Sequence, residues 1–154
     1  MLFYKTIERD TLGLLKKILS KPELKRTRLV GGTALSLQLG HRESIDLDFF
    51  GEWATSVNLL PVLEGCGDTN IESEGQNIFI YTVNGVKCDF VRYKYQWLKP
   101  PLVVDGLRLA HTDDIVAMKL EAITGRGSRK DFIDLAFLLE RYTLVEMLTL
   151  YREK

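Results

Sequence analysis

Three aspartates, Asp46, Asp48 and Asp89, are the residues of this chain best suited to chemistry. Asp46 and Asp48 lie in Ile45-Asp46-Leu47-Asp48-Phe49-Phe50, where apolar and acidic residues alternate as they do in a β-strand. Residues i and i+2 of a strand share a face. The two carboxylates are therefore expected side by side, with Ile45, Leu47 and Phe49 turned to the core. Adjacent carboxylates raise each other's pKa, and a fold seldom needs such a pair for its own stability. A divalent cation removes the repulsion, and hard oxygen ligands suit Mg²⁺ or Mn²⁺. Asp89 sits in a second strand-like run, Val86 to Val91. Beside the first strand it would add a third carboxylate, and three acids can hold two metals for a phosphoryl displacement. Asp46 and Asp48 would equally suit the solvent face of an edge strand, opposite lysines.

Gly31-Gly32-Thr33 adds a second chemical feature. It separates a β-prone run, Thr27 to Val30, from a short helical stretch, Thr33 to Leu39. Glycines let a backbone approach a ligand closely, and helix N-terminal amides beside a hydroxyl form a phosphate site. A Gly pair also makes a plain strand-to-helix turn. The combination is more specific than either part, because it would set phosphates beside metal ligands.

The stretch Leu29-Val30-Gly31-Gly32-Thr33-Ala34-Leu35, followed by Gly40-His41-Arg42-Glu43-Ser44-Ile45-Asp46-Leu47-Asp48-Phe49-Phe50, resembles the nucleotidyltransferase signature of the DNA polymerase β superfamily. Its wording is similar in particular to the AbiEii/AbiGii toxin family of bacterial toxin–antitoxin and phage-defence systems. The resemblance runs from about residue 27 to 140. It implies a polymerase β-like fold in which Gly31, Gly32 and Thr33 hold a triphosphate, and Asp46, Asp48 and Asp89 bind Mg²⁺ or Mn²⁺. It further implies that Lys119 contacts nucleotide phosphate together with Arg126, and that Asp131 or Asp134 assists the site. The implied activity is metal-dependent transfer of a nucleoside monophosphate from an NTP to an acceptor hydroxyl. RNA, with tRNA among the candidates, is the expected acceptor, and a cognate antitoxin is an expected partner. The alternatives are a catalytically silent nucleotide- or partner-binding module and a small-molecule nucleotidyltransferase.

Outside that resemblance several of these residues have ordinary structural roles. Ser128 followed by Asp131 is close to a capping arrangement, and Lys130 with Asp134 is an i,i+4 pair. His41 and Arg42 either approach the nucleotide or order their loop. Tyr93, Tyr95 and Trp97, interleaved with Arg92, Lys94 and Lys99, suit base stacking or packing against helices.

The elements that must position these residues read as a small mixed sheet flanked by helices, an α/β (α+β) class with a helical C-terminal third. Leu2 to Ser20 predicts an amphipathic helix and Thr55 to Leu63 another, interrupted near Pro61. Ile78 to Val83 and Val86 to Val91, joined by Asn84-Gly85, predict a hairpin. Leu102 to Leu109 predicts an edge strand. Thr112 and Ser128 are expected to cap helices over 113–123 and 129–141, and a last helix covers 143–152.

The 154 residues suit one domain, with a core over about 27–110 and C-terminal helices over about 112–152. Lys+Arg and Asp+Glu are both 21, so there is no global pull toward nucleic acid. Two cysteines, Cys66 and Cys88, make no disulfide framework, which points to a reducing compartment. MLFYKTIERD becomes charged too soon for a signal peptide, and no apolar run approaches the ~18 residues of a membrane span. A cytoplasmic protein without membrane contact is expected. The chain ends at Lys154, before the C-terminal helical regions of many such relatives, so part of an acceptor surface is expected to be missing or supplied by another chain.

Overall fold

The structure, a computed structural model, describes residues 1–154. After a 3₁₀ turn at Tyr4–Thr6 the amphipathic pattern becomes helix α1 only at Arg9–Leu19. Its apolar residues Leu14, Leu15, Ile18 and Leu19 are buried. Strand β1 (Arg26–Val30) runs straight into α2 (Gly31–Leu39). Strand β2 (Leu47–Glu52) follows, then α3 (Leu59–Glu64), β3 (Thr69–Glu74), β4 (Ile78–Val83) and β5 (Val86–Arg92). A short hairpin, β6 (Leu102–Val104) and β7 (Leu107–Leu109), leads into α4 (Thr112–Gly125), α5 (Arg129–Leu138) and α6 (Leu144–Glu153). No helix is long and apolar enough to cross a membrane.

The seven strands form one mixed sheet in the order β3-β4-β5-β2-β1-β7-β6. β2 lies antiparallel to β1 and parallel to β5, and β1 is parallel to β7. The alternating residues of the central strands explain this placement. Leu47 and Phe49 on β2, Cys88 and Phe90 on β5, and Leu29 on β1 are all fully buried. The Phe49 and Phe90 rings stack with centroids 4.8 Å apart. Asn84 and Gly85 both take positive φ, +50° and +79°, as the predicted hairpin turn requires.

Several boundaries differ from expectation for local reasons. β2 starts at Leu47, so Ile45 lies before the strand and is 62% exposed instead of entering the core. The helix expected from Thr55 begins at Leu59, where the Asn58 side chain accepts from the Leu60 N–H. Pro61 then falls in the first turn, where a missing N–H removes no helical bond. The region of Leu102 to Leu109 folds as a hairpin about Asp105-Gly106 rather than one strand. α4 is capped by His111, whose Nδ1 accepts from the Asp113 N–H at 3.0 Å, and not by Thr112. β3, polar and almost wholly exposed, carries too little apolar alternation to be read from sequence.

Arg108 of β7 holds the strand that delivers the Gly pair. Its guanidinium donates to the carbonyls of Leu19 at 3.0 Å, Leu24 at 2.9 Å and Thr27 at 3.0 Å. One side chain thus ties the end of α1 and the entry of β1 to the neighbouring strand. Arg108→Ala is expected to destabilise the fold by about 2–4 kcal/mol, because three carbonyls lose a charged donor. Denaturant titration checks this, and a change below about 0.5 kcal/mol would show the clamp to be dispensable.

Candidate nucleotide and metal site

The register of three strands brings the predicted acids to the start of α2. Val30 pairs with Asp48 across β1 and β2, and Asp48 pairs with Asp89 across the parallel β2 and β5. Cross-strand partners share a face, so Asp48 and Asp89 stand together just below the point where β1 becomes α2. Gly31 takes φ +71°, and a Cβ there would lie 2.7 Å from Asp48 Oδ2. The carboxylate therefore rests against the bare backbone of the helix start. Val30, the residue before α2, offers no side-chain cap to the first-turn amides.

Burial raises the Asp48 carboxyl to about 6, and the neighbouring Asp89 charge adds to the effect. Asp46 precedes β2 and is not placed by the strand pleat as its spacing predicted. Its carbonyl instead accepts from the Thr33 hydroxyl, which also lies 2.6 Å from Ser44 Oγ. Thr33 is thus spent on fastening the acidic loop to α2. Asp89 Oδ2 accepts from Lys87 Nζ at 3.0 Å, while its Oδ1 is buried and has no partner.

No three carboxylate, His or Cys side chains converge closely enough to hold a metal ion as they stand. The donor chemistry nevertheless fits a divalent cation. Two carboxylates in register repel each other, one is driven toward protonation, and the other keeps an orphaned buried oxygen.

Behind α2 lies a second charged cluster, contributed by α4 and α5. Lys119 Nζ sits 2.9 Å from both Asp131 Oδ1 and Asp134 Oδ2. Arg126, just past α4, donates to both oxygens of Asp131 at 3.1 and 3.2 Å. Asp131 also forms a full capping box with Ser128. Burial opposes ionisation of Asp131, but Lys119 and Ser128 outweigh it and hold the carboxyl down to about 2. Asp134 is fully buried, and it accepts from Arg42 Nε at 2.7 Å, Arg42 Nη2 at 3.0 Å and His41 Nε2 at 2.6 Å. Despite burial, His41, Arg42 and Lys119 together push its carboxyl well below the usual range.

The predicted residues thus fall into two groups. Asp46, Asp48, Asp89, Gly31, Gly32 and Thr33 surround the start of α2. Lys119, Arg126 and Asp131 form an ion network linked to that site through Asp134 and Arg42. Arg42, expected either to approach the nucleotide or to order its loop, is held by Asp134. A Cβ on Gly32 would collide with its Nη2 atom. The aromatic run is occupied internally: the Tyr93 and Trp97 rings are 4.8 Å apart, and Arg28 stacks on Trp97 at 4.1 Å.

The family model for the Nucleotidyl transferase AbiEii toxin, Type IV TA system, matches residues 14–99. This chain belongs to that family. The match contains Gly31 to Asp48 and Asp89 but stops before Lys119. AbiEii proteins are nucleotidyl transferase enzymes, and this chain is one of them by membership. The uncharacterized protein aq_aa25 of Aquifex aeolicus is 31% identical over 141 residues, covering 88% of this chain and 68% of its own length. The crystal structure of JHP933 from Helicobacter pylori superposes with a TM-score of 0.63 at 24% identity, over 87% of this chain and 65% of that one. The antibiotic-resistance factor ANT(2'')-Ia gives a TM-score of 0.68 at 16% identity, over 93% and 90%. The fold is the polymerase β-like nucleotidyltransferase fold, as the AbiEii signature implied. The chain spans about two thirds of the length of its Aquifex and Helicobacter relatives.

The two carboxylate environments give opposite pH effects. An unfolded Asp48 ionises near 3.8 and the folded one near 6, so its ionisation penalises the fold as pH rises through that window. Asp48→Asn is expected to stabilise the protein by up to about 3 kcal/mol at pH 7.5 and by much less at pH 4, measured by denaturant unfolding without metal. Asp131 has the reverse sign. Its contribution is present above about 3.8 and lost as pH falls toward about 2, so Asp131→Asn should flatten the acid limb of the stability curve between those values.

Proposed function

We propose that this protein transfers a nucleoside monophosphate from an NTP to a hydroxyl of an RNA acceptor, with tRNA among the candidates. It would act in the cytoplasm as the toxin of a toxin–antitoxin or phage-defence pair, opposed by a cognate antitoxin protein. One observation carries the reading: two carboxylates held in register directly beneath an uncapped, side-chain-free helix start. Family membership supports the toxin role and the antitoxin partner.

In this reading the first-turn amides of Gly31, Gly32 and Thr33 bind and orient the triphosphate. Thr33 contributes through its backbone, since its hydroxyl is held by the acidic loop. Asp46, Asp48 and Asp89 would hold Mg²⁺ or Mn²⁺. When bound, that metal would neutralise triphosphate charge and make the acceptor hydroxyl more acidic. The acceptor oxygen forms a bond to the α-phosphorus, the bond to the β-phosphate oxygen breaks, and pyrophosphate leaves with the electron pair. Asp89 Oδ1, buried and without a partner, is the oxygen free to take the hydroxyl proton. Lys119, Arg126 and Asp131 support the triphosphate end as a fixed charged wall behind α2.

The test uses purified protein, Mg²⁺, total bacterial RNA and each α-³²P-labelled NTP in turn. Wild type is expected to label RNA, and Asp46→Ala and Asp48→Ala to lose about a thousandfold or more of the rate. Equal labelling by a folded Asp48→Ala protein would remove the carboxylate mechanism. Pyrophosphate release with unlabelled RNA would overturn the RNA acceptor and leave the transfer chemistry. Nucleotide binding without turnover would favour a silent module.

A further inference from the structure

We propose that Arg42, held by the buried carboxylate of Asp134, is the cation that receives the terminal phosphates of the nucleotide at the start of α2. This rests on the nucleotidyltransferase reading above and adds to it a phosphate-contacting residue and the residue that positions it.

The two consecutive glycines have different neighbours. At Gly31 the absent side chain makes room for Asp48, and at Gly32 it makes room for the Arg42 guanidinium. A negative and a positive group are therefore pressed against adjacent residues of one helix start. An ion pair serving only to tie the 41–46 loop to α5 has no need to lie on the α2 backbone.

Arg42 is fixed but not exhausted. Nε and Nη2 donate to the two oxygens of Asp134, and Nη1 donates to the Glu43 carbonyl at 3.1 Å. A guanidinium carries five N–H donors, so donors remain on Nη1 and Nη2. Its side chain is 15% exposed, whereas that of Lys119 is 7% exposed and bridges both Asp131 and Asp134. Lys119 neutralises the buried acids, and of the two side-chain cations that contact Asp134 the more accessible is Arg42.

The charge balance points the same way. Arg42, Lys119 and Arg126 face Asp131 and Asp134, three cations against two anions, which leaves +1 without counting His41. Arg42 is the member of that cluster that reaches the helix start, and a guanidinium beside helix N-terminal amides complements a polyanion. The Asp134 carboxylate, bonded to two guanidinium nitrogens, sets the plane in which Arg42 meets its ligand.

Titration calorimetry on the full chain with Mg²⁺ tests this, using inorganic tripolyphosphate, each NTP and each NMP as probes. Arg42→Gln is expected to weaken tripolyphosphate and NTP binding by about tenfold to hundredfold, the loss of a charge-assisted contact. NMP binding should change less than about twofold, and Arg42→Lys should recover part of the loss. Gly32→Ala leaves the Arg42 and Asp134 side chains chemically intact yet drives Nη2 off the helix start, so it should reproduce the defect and not add to it in the double variant. Asp134→Asn should raise KM for NTP more than it lowers kcat. A merely structural ion pair would lower the melting temperature and leave the ratio of NTP to NMP affinity unchanged, and that result overturns the proposal. If wild type binds neither tripolyphosphate nor any NTP, the nucleotidyltransferase reading fails as well. If wild type binds them and folded Arg42→Gln binds them equally, only the role of Arg42 fails.

Discussion

Opposite charges crowd the first residues of α2, and much of the chain is arranged to keep them there. Asp48 is pressed on Gly31 from the sheet side, and Arg42 lies on Gly32 from the other. Neither position is comfortable. Burial works against the ionised Asp48, and a buried guanidinium needs an anion close by. The sheet register supplies the first constraint by locking β2 between β1 and β5. Asp134, delivered by α5, supplies the second.

Asp134 links what would otherwise be two separate structures. Through Arg42 and His41 it holds the loop ahead of β2, and through Lys119 it holds α4. Lys119 carries the connection on to Asp131, Arg126 and the Ser128 cap. Buried ion networks are weak evidence for stability, because desolvation offsets most of the Coulomb gain. Their contribution here is geometric: a chain of short contacts from the C-terminal helices to the helix start beside the acids.

The central strands and most helices were legible because their signals are local. Alternation marked β2 and β5, Asn84-Gly85 marked their hairpin neighbour, and Ser128 marked a helix start by its capping arrangement with Asp131. The acids and the Gly pair were legible by residue type and spacing. Three things were not. The pairing of Asp48 with Asp89 is parallel and joins residues about forty apart, so no local pattern encodes it. The departure of Asp46 from the pleat depends on where β2 begins, which Thr33 and Ser44 influence from outside the strand. Arg42 stood between approaching the nucleotide and ordering its loop, because its partner Asp134 lies 92 positions later in sequence.

That separation has a consequence for the protein's synthesis. The segment carrying the glycines and aspartates leaves the ribosome long before α5 exists. Chains made from the N-terminus gain their long-range contacts in the order the segments emerge. Until Asp134 has been translated and folded back, the guanidinium has no anion to hold it against Gly32. An incomplete nascent polypeptide therefore has its acids but not its assembled charge pair, and translation itself sets the earliest moment at which the site can become whole.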